Sequence, residues 1–123
     1  MTKLLGELRA DEIAEDQTVD GPGLAAAVSV CFRMARDGRY SSEARTAFYD
    51  SGVMLRDQMK ILLAEVFNEG TDDLLEANAL IKTVNADLAA TLADVNRAAD
   101  TIEQLGALVT QLTKLVELGD VLI

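Results

Sequence analysis

The sequence contains no histidine and a single cysteine, Cys31, among its 123 residues. A disulfide within the chain is therefore impossible, and zinc sites built from cysteine and histidine are excluded. Nucleophile pairs that join serine or cysteine to histidine are excluded for the same reason. We therefore predict a protein that is not an enzyme, with no catalytic residues, no metal and no cofactor.

Basic residues are scarce, since 11 Lys and Arg stand against 21 Asp and Glu, for a formal net charge of -10. Phosphate recognition needs an excess of lysine and arginine, so we expect no nucleic acid partner. An anionic membrane surface is disfavoured in the same way. No run reaches the roughly 18 uncharged apolar residues of a membrane span. The N-terminus lacks the apolar core of a signal peptide, so we expect a cytoplasmic protein.

Aromatic residues make up only 4 % of the chain, tryptophan is absent and Pro22 is the only proline. Half of the residues are hydrophobic, and they are mainly aliphatic, which suits helix-on-helix packing better than a sheet sandwich. We predict an all-α helical bundle of three to four helices with one long C-terminal amphipathic helix.

Loop-forming residues divide this predicted single helical domain into three parts. Asp20-Gly21-Pro22-Gly23 ends a weak, acidic N-terminal helix or arm over residues 1–20. Two medium helices follow over 22–70, the second interrupted by Gly52, which should weaken or bend it. Gly70 then ends this pair, and a heptad-patterned helix extends over 71–123.

The heptad repeat of the last segment is the most informative feature of the sequence. With Leu74 at position a, every later a residue is aliphatic, whereas the d row is small at Thr91 and Ala98. Bulky side chains from the preceding helix are expected to fill that gap, namely Phe48, Met54, Met59 and Phe67. The pattern does not decide whether the segment is continuous or folds back. The residues that we predict to form an interaction seam with neighbouring helices are Ile81, Leu88, Val95, Ile102, Leu105, Val109, Leu112 and Val116.

Two polar groups allow two interpretations each. Asparagines in the last segment (Asn78, Asn85 and Asn96) either fix the register of buried helices or lie on the flank and bind water, and we expect the second. Four arginines (Arg33, Arg36, Arg39 and Arg45) either contact an anionic partner or pair with acids of this acidic chain. We expect the pairing, with the arginine stems covering apolar surface.

These patterns lead to three functional hypotheses. The first is a non-enzymatic helical interaction or scaffold protein that forms a homo-oligomer or docks another helical protein, through coiled-coil-like packing. The second is an acidic masking protein, similar in role to a chaperone or an immunity protein, for a basic partner. The third, which the acidic charge disfavours, is a helical protein active at a membrane or lipid surface.

Overall fold

The computed structural model describes residues 18–64 and 72–122. These residues form four α-helices and one 3-10 turn, and no strand occurs among them. In chain order the elements are α1 (Gly21–Ala35), α2 (Ser42–Leu62), α3 (Asp72–Ala93), the 3-10 turn (Val95–Arg97) and α4 (Ala98–Leu122). The predicted all-α bundle with a long C-terminal helix is confirmed. The predicted N-terminal arm, apart from residues 18–20, and the predicted boundary at Gly70 lie outside the described residues.

The start of α1 follows from the sequence around the only proline. Asp20 caps the helix, since its Oδ1 accepts a hydrogen bond from the Gly23 N–H at 3.0 Å. Pro22 lies in the first turn, where its missing N–H costs no bond within the helix. The buried face then recurs at three- and four-residue spacing through Leu24, Ala27, Val28, Cys31 and Met34.

The second helix passes Gly52 without ending there. Ser41 caps α2 by accepting a hydrogen bond from the Ala44 N–H at 3.1 Å. A Cβ atom at Gly52 would lie 3.0 Å from the Phe32 ring and 3.2 Å from Cys31 Cβ. The glycine therefore permits α1 to approach α2 closely, which is a packing role and not the helix-weakening role that propensity alone predicts.

The four helices surround one hydrophobic core, and each packs against two neighbours. α1 contacts α2 and α3, while α4 contacts α3 and α2. Hydrogen bonds from the start of α1 to Asn78 and from Tyr40 to Thr91 show that α1 and α3 are parallel. A bond from Gln111 to the Asp73 carbonyl shows that α3 and α4 are antiparallel. Since α1 and α2 form a hairpin, α2 and α4 also run parallel to each other.

The segment over 71–123 is not one continuous helix, which corrects that part of the sequence interpretation. Asp94 adopts an extended conformation, with φ -141° and ψ 101°. Its Oδ1 accepts a hydrogen bond from the Asn96 N–H at 3.1 Å. An aspartate that binds the backbone two residues further on favours a turn over a helix interior. The chain consequently folds back, and α3 and α4 form an antiparallel pair.

Polar side chains close this pair at the end of α3. The hydroxyl groups of Thr91 and Thr101 lie 2.6 Å apart in the buried interior. Tyr40 donates a hydrogen bond to the Thr91 carbonyl at 3.0 Å, and Arg39 donates one to the Leu92 carbonyl at 3.1 Å. The last carbonyls of a helix have no partner within it, so these two side chains from the α1–α2 connection act as its cap. The small d residue Thr91 is thus part of a polar contact and does not simply leave space for a bulky side chain.

Two of the three asparagines join α1 to α3, contrary to the expectation that they bind water on the flank. Asn78 accepts a hydrogen bond from the Asp20 N–H at 2.8 Å and donates one to the Thr18 carbonyl at 3.1 Å. Asn85 donates to the Gly23 carbonyl at 3.0 Å. Asn96 lies exposed in the 3-10 turn. The first two therefore fix the register of α1 against α3.

Gly52 in α2 and Gly106 in α4 predict opposite effects of the same substitution. Gly52→Ala should lower the free energy of unfolding by about 1 kcal/mol, because crowding against Cys31 Cβ outweighs the gain in helix propensity. Gly106→Ala, where an added Cβ meets nothing within 4 Å, should raise it by about 0.5–1 kcal/mol. Urea unfolding followed by circular dichroism measures both. Equal stabilisation by the two alanines would contradict the close approach at Gly52.

The asparagine contacts predict a second stability difference. Asn78→Ala should lower the free energy of unfolding by about 2 kcal/mol, because two backbone groups at the start of α1 lose their partner. Asn96→Ala is the matched control, and we expect a change within about 0.5 kcal/mol for this exposed side chain. The same urea titration decides, and equal effects of the two substitutions would show that Asn78 does not hold α1.

Candidate functional site

The eight predicted seam residues fall into two groups. Four are buried inside the chain and are covered by its own helices: Ile81, Leu88, Leu105 and Leu112. The other four are half-buried beside the same core: Val95, Ile102, Val109 and Val116. The second group all follow the break at Asp94. After this break Leu108 and Leu115 are buried, so the face that α4 turns to the core has moved from the a and d rows to the d and g rows.

Three of the half-buried seam residues lie on α4 along its junction with α2, a surface that we name the α2–α4 groove. Gln58 on α2 donates hydrogen bonds from its Nε2 to the Val109 carbonyl at 3.2 Å and to Thr113 Oγ1 at 2.8 Å. These bonds place the Val109 side of α4 next to α2. Ile102 and Val116 lie seven residues before and after Val109, so they share that side of the helix. The groove floor on α4 is therefore aliphatic.

The α2 wall of the groove carries exposed apolar side chains. Met54 is 50 % exposed and Ile61 is 47 % exposed. They lie four residues before and three after Gln58, which makes them neighbours of the bridging glutamine on the helix surface. Half-buried Ala47 extends the row by one more heptad. The prediction that Met54 fills the core is wrong, whereas Phe48 is fully buried and Met59 is partly buried against the core. Phe67 lies outside the described residues.

Acidic residues form both margins of this α2–α4 groove. On α2 an exposed acid lies four residues before each apolar residue of the wall. These acids form the row Glu43, Asp50 and Asp57. On α4 the exposed residues Glu103 and Glu117 share the outer row with Thr110, and the exposed Lys114 lies beside them, three residues before Glu117. Asp57 lies 3.7 Å from Arg56 in a solvent-exposed pair, which contributes little. The groove therefore combines aliphatic rows, bridged by the polar contact of Gln58 with Thr113, with a mainly negative rim.

The predicted seam includes the three α4 residues of this groove, Ile102, Val109 and Val116, and none of its α2 residues. The sequence pattern places Met54 and Ile61 in a broad apolar stripe that is expected to face the core. In the fold they lie at the edge of the core, because α4 packs on the other side of Gln58. A signal was nevertheless present, since an acid precedes each residue of the row at a spacing of four. Regular acids beside an apolar row indicate a boundary between buried and exposed surface.

Of the four arginines, Arg39 pairs with an acid among the described residues. Arg39 pairs with Asp37, at 2.7 Å between Nη2 and Oδ2, and this hydrogen-bonded contact holds the pKa of the Asp37 carboxyl below its usual range. Within the described parts of the chain, Arg33, Arg36 and Arg45 form no ion pair. The predicted pairing is present for Arg39. For the other three it stays a prediction, because several acids of the chain lie outside the described residues.

Cys31 is a core residue and not a reactive site. It is fully buried between α1 and α2, and this burial raises the pKa of its thiol to about 12. Because the thiolate is the nucleophile and the metal ligand, a thiol with this pKa stays inert at neutral pH. Across residues 18–64 and 72–122, no three His, Cys, Asp or Glu side chains are grouped so that they could hold a metal ion.

Comparisons of the chain with protein-family models, with curated protein sequences and with solved structures find no significant match. In the described part of the chain, no helix combines the length and the apolar character needed to cross a bilayer. A function is therefore inferred from the surfaces of the bundle itself.

Burial of Cys31 predicts slow thiol chemistry in the folded protein. At pH 8, below both the usual pKa of 9.0 and the raised value of about 12, the native protein should react with a disulfide reagent only through opening of the bundle. Absorbance of the released thiol measures the rate, and the urea-unfolded protein, which should react at once, is the control. Rapid stoichiometric labelling of the native protein would contradict the packing of α1 on α2.

Proposed function

We propose that this protein is a non-enzymatic helix-binding protein whose α2–α4 groove receives an amphipathic helix of another protein. The single observation that carries the proposal is the exposed apolar row on α2, in which Met54 and Ile61 remain about half exposed beside the aliphatic floor of the groove. An amphipathic helix that lays its apolar face into such a groove reads it at spacings of three and four residues.

The charges of the groove define the kind of helix it suits. Its margins carry Glu43, Asp50 and Asp57 on one side and Glu103 and Glu117 on the other. An apolar stripe flanked by lysine or arginine complements this surface, since opposite potentials speed association and disfavour wrong partners. The proposal thus unites the two leading hypotheses from the sequence, because the partner is both helical and basic.

Self-association through the same groove is the alternative. Two copies joined by this face would bury the apolar rows, as a symmetric dimer requires. They would also bring two acidic margins together in a chain of net charge -10, and like charges across an interface weaken it. The charges therefore favour a different, basic partner over a second copy.

We further propose that the protein acts in the cytoplasm. Support comes from the free thiol of Cys31 in the core, which is compatible with a reducing compartment.

A pair of synthetic helical peptides tests the proposed function. Both present leucine at heptad positions a and d, one with lysine and the other with glutamate at the flanking e and g positions. We expect the lysine peptide to bind at least about tenfold more tightly, with an affinity that falls as salt rises, because its charges complement the rim. Fluorescence anisotropy of the labelled peptides measures both affinities. Equal binding of the two peptides, or none by either, would contradict the proposal.

Single substitutions test whether the peptide binds at the α2–α4 groove. Met54→Glu and Ile61→Glu should each weaken binding of the lysine peptide by about tenfold, because a charge replaces an apolar contact in the groove. Leu75→Glu is the matched control, since Leu75 is 47 % exposed on α3, which does not border the groove. Light scattering after size exclusion, run on the same variants, detects self-association. A concentration-dependent dimer that Met54→Glu abolishes would show that a second copy of the chain, and not a basic partner, occupies the groove.

A further inference from the structure

We propose that the cleft between α1 and α2 binds a small organic oxyanion, in which a phosphate or carboxylate group is carried on an aromatic body. The cleft lies on the side of α2 that faces α1, and the α2–α4 groove lies on its other side, so the two sites are separate. Its volume of about 430 Å³ is within the range of pockets for small molecules.

Among the described residues, the charges that line the cleft are all positive. Arg36 from the end of α1 and Arg45 from the first turn of α2 face it, and no carboxylate in that part of the chain lines it. The chain has 21 acidic and 11 basic residues, so a randomly placed charged residue in the cleft lining would more often be an acid. Guanidinium groups bind phosphate and carboxylate through paired N–H donors.

Arg45 has no committed partner among the described residues of the chain. Its Nε is buried and meets no acceptor within the described residues, and the side chain forms no ion pair there. Buried polar groups almost always have a hydrogen-bond partner, so an orphaned guanidinium N–H is an exception that requires a reason. A small movement of the guanidinium toward an oxyanion in the cleft would satisfy it.

The remaining wall of the cleft is suited to the organic part of such a ligand. The rings of Phe32 and Tyr49 meet edge to face, with centroids 5.7 Å apart, and Tyr49 is 54 % exposed. Arg56 lies over the Phe32 ring at 5.7 Å and helps to hold it. The hydroxyl groups of Ser42 and Thr46 also line the cleft and add short-range donors for oxyanion oxygens.

Titration with three probes tests the inference and separates its two sources of affinity. The probes are phenyl phosphate, benzoate and inorganic phosphate, and the readout is calorimetry together with shifts of backbone amide signals in NMR. We expect saturable binding of phenyl phosphate, about tenfold tighter than inorganic phosphate, because the aromatic wall adds to the charge term. The rank of benzoate then tells whether the site prefers phosphate or carboxylate. Failure of all three probes to saturate the cleft signals overturns the inference.

Matched substitutions decide whether the cleft itself is responsible. Arg36→Gln and Arg45→Gln should each weaken phenyl phosphate by about tenfold, the effect of one charge-assisted hydrogen bond. Arg33→Gln removes the same charge from the same helix without touching the cleft lining, and it should leave the affinity within about twofold. Tyr49→Ala should remove most of the preference for phenyl phosphate over inorganic phosphate. Equal losses from Arg33→Gln and Arg36→Gln overturn the inference, since they would show only a general charge effect. Arg36 is exposed, so its variant gives a result even where Arg45→Gln disturbs the fold.

Discussion

The hydrogen bond between the Asp94 carboxylate and the Asn96 N–H determines the arrangement of the C-terminal half of the protein. It ends α3, and the chain restarts as α4 in the opposite direction. Without that turn, residues 72–122 would form a rod of roughly 75 Å, at 1.5 Å per residue, and only part of its apolar face could be covered by α1 and α2. With the turn, α3 and α4 cover each other, and the bundle closes around Leu105 and Leu112.

The same turn explains where the exposed surface of the protein lies. A continuous heptad would present its a and d rows to one neighbour along the whole segment. Because the 3-10 turn interrupts the helix, α4 resumes in a different rotational phase and buries Leu108 and Leu115 in place of its a row. The a residues Ile102, Val109 and Val116 therefore move to the edge beside α2. A groove with an aliphatic floor is thus a consequence of the break.

The features of the fold that can be predicted from the sequence are those that depend on local chemistry and on the period of the apolar residues. The helical class and the apolar faces of α1 and α3 follow from spacing. The break at Asp94 was missed because the heptad passes through it without a proline or glycine, and only the Asp-x-Asn pair signals a turn. The roles of Asn78, Gly52 and Arg45 depend on which helix lies opposite. A single sequence does not give that information, since contacts between helices are set by the whole packing.

The charge distribution of α2 separates two explanations of its exposed apolar row. Acids beside Met54 and Ile61 could simply act as gatekeepers that keep the surface from aggregating. Gatekeeping needs charge of either sign, and lysines serve it as well as acids. On α2, however, the side toward α4 carries only acids in the row Glu43, Asp50 and Asp57, while the side toward α1 carries Arg45 and Arg56. One helix therefore carries acids on one side and arginines on the other, and the two sides meet at the pair of Asp57 with Arg56. Such separation favours recognition of two differently charged ligands over general solubility, since solubility alone gains nothing from it.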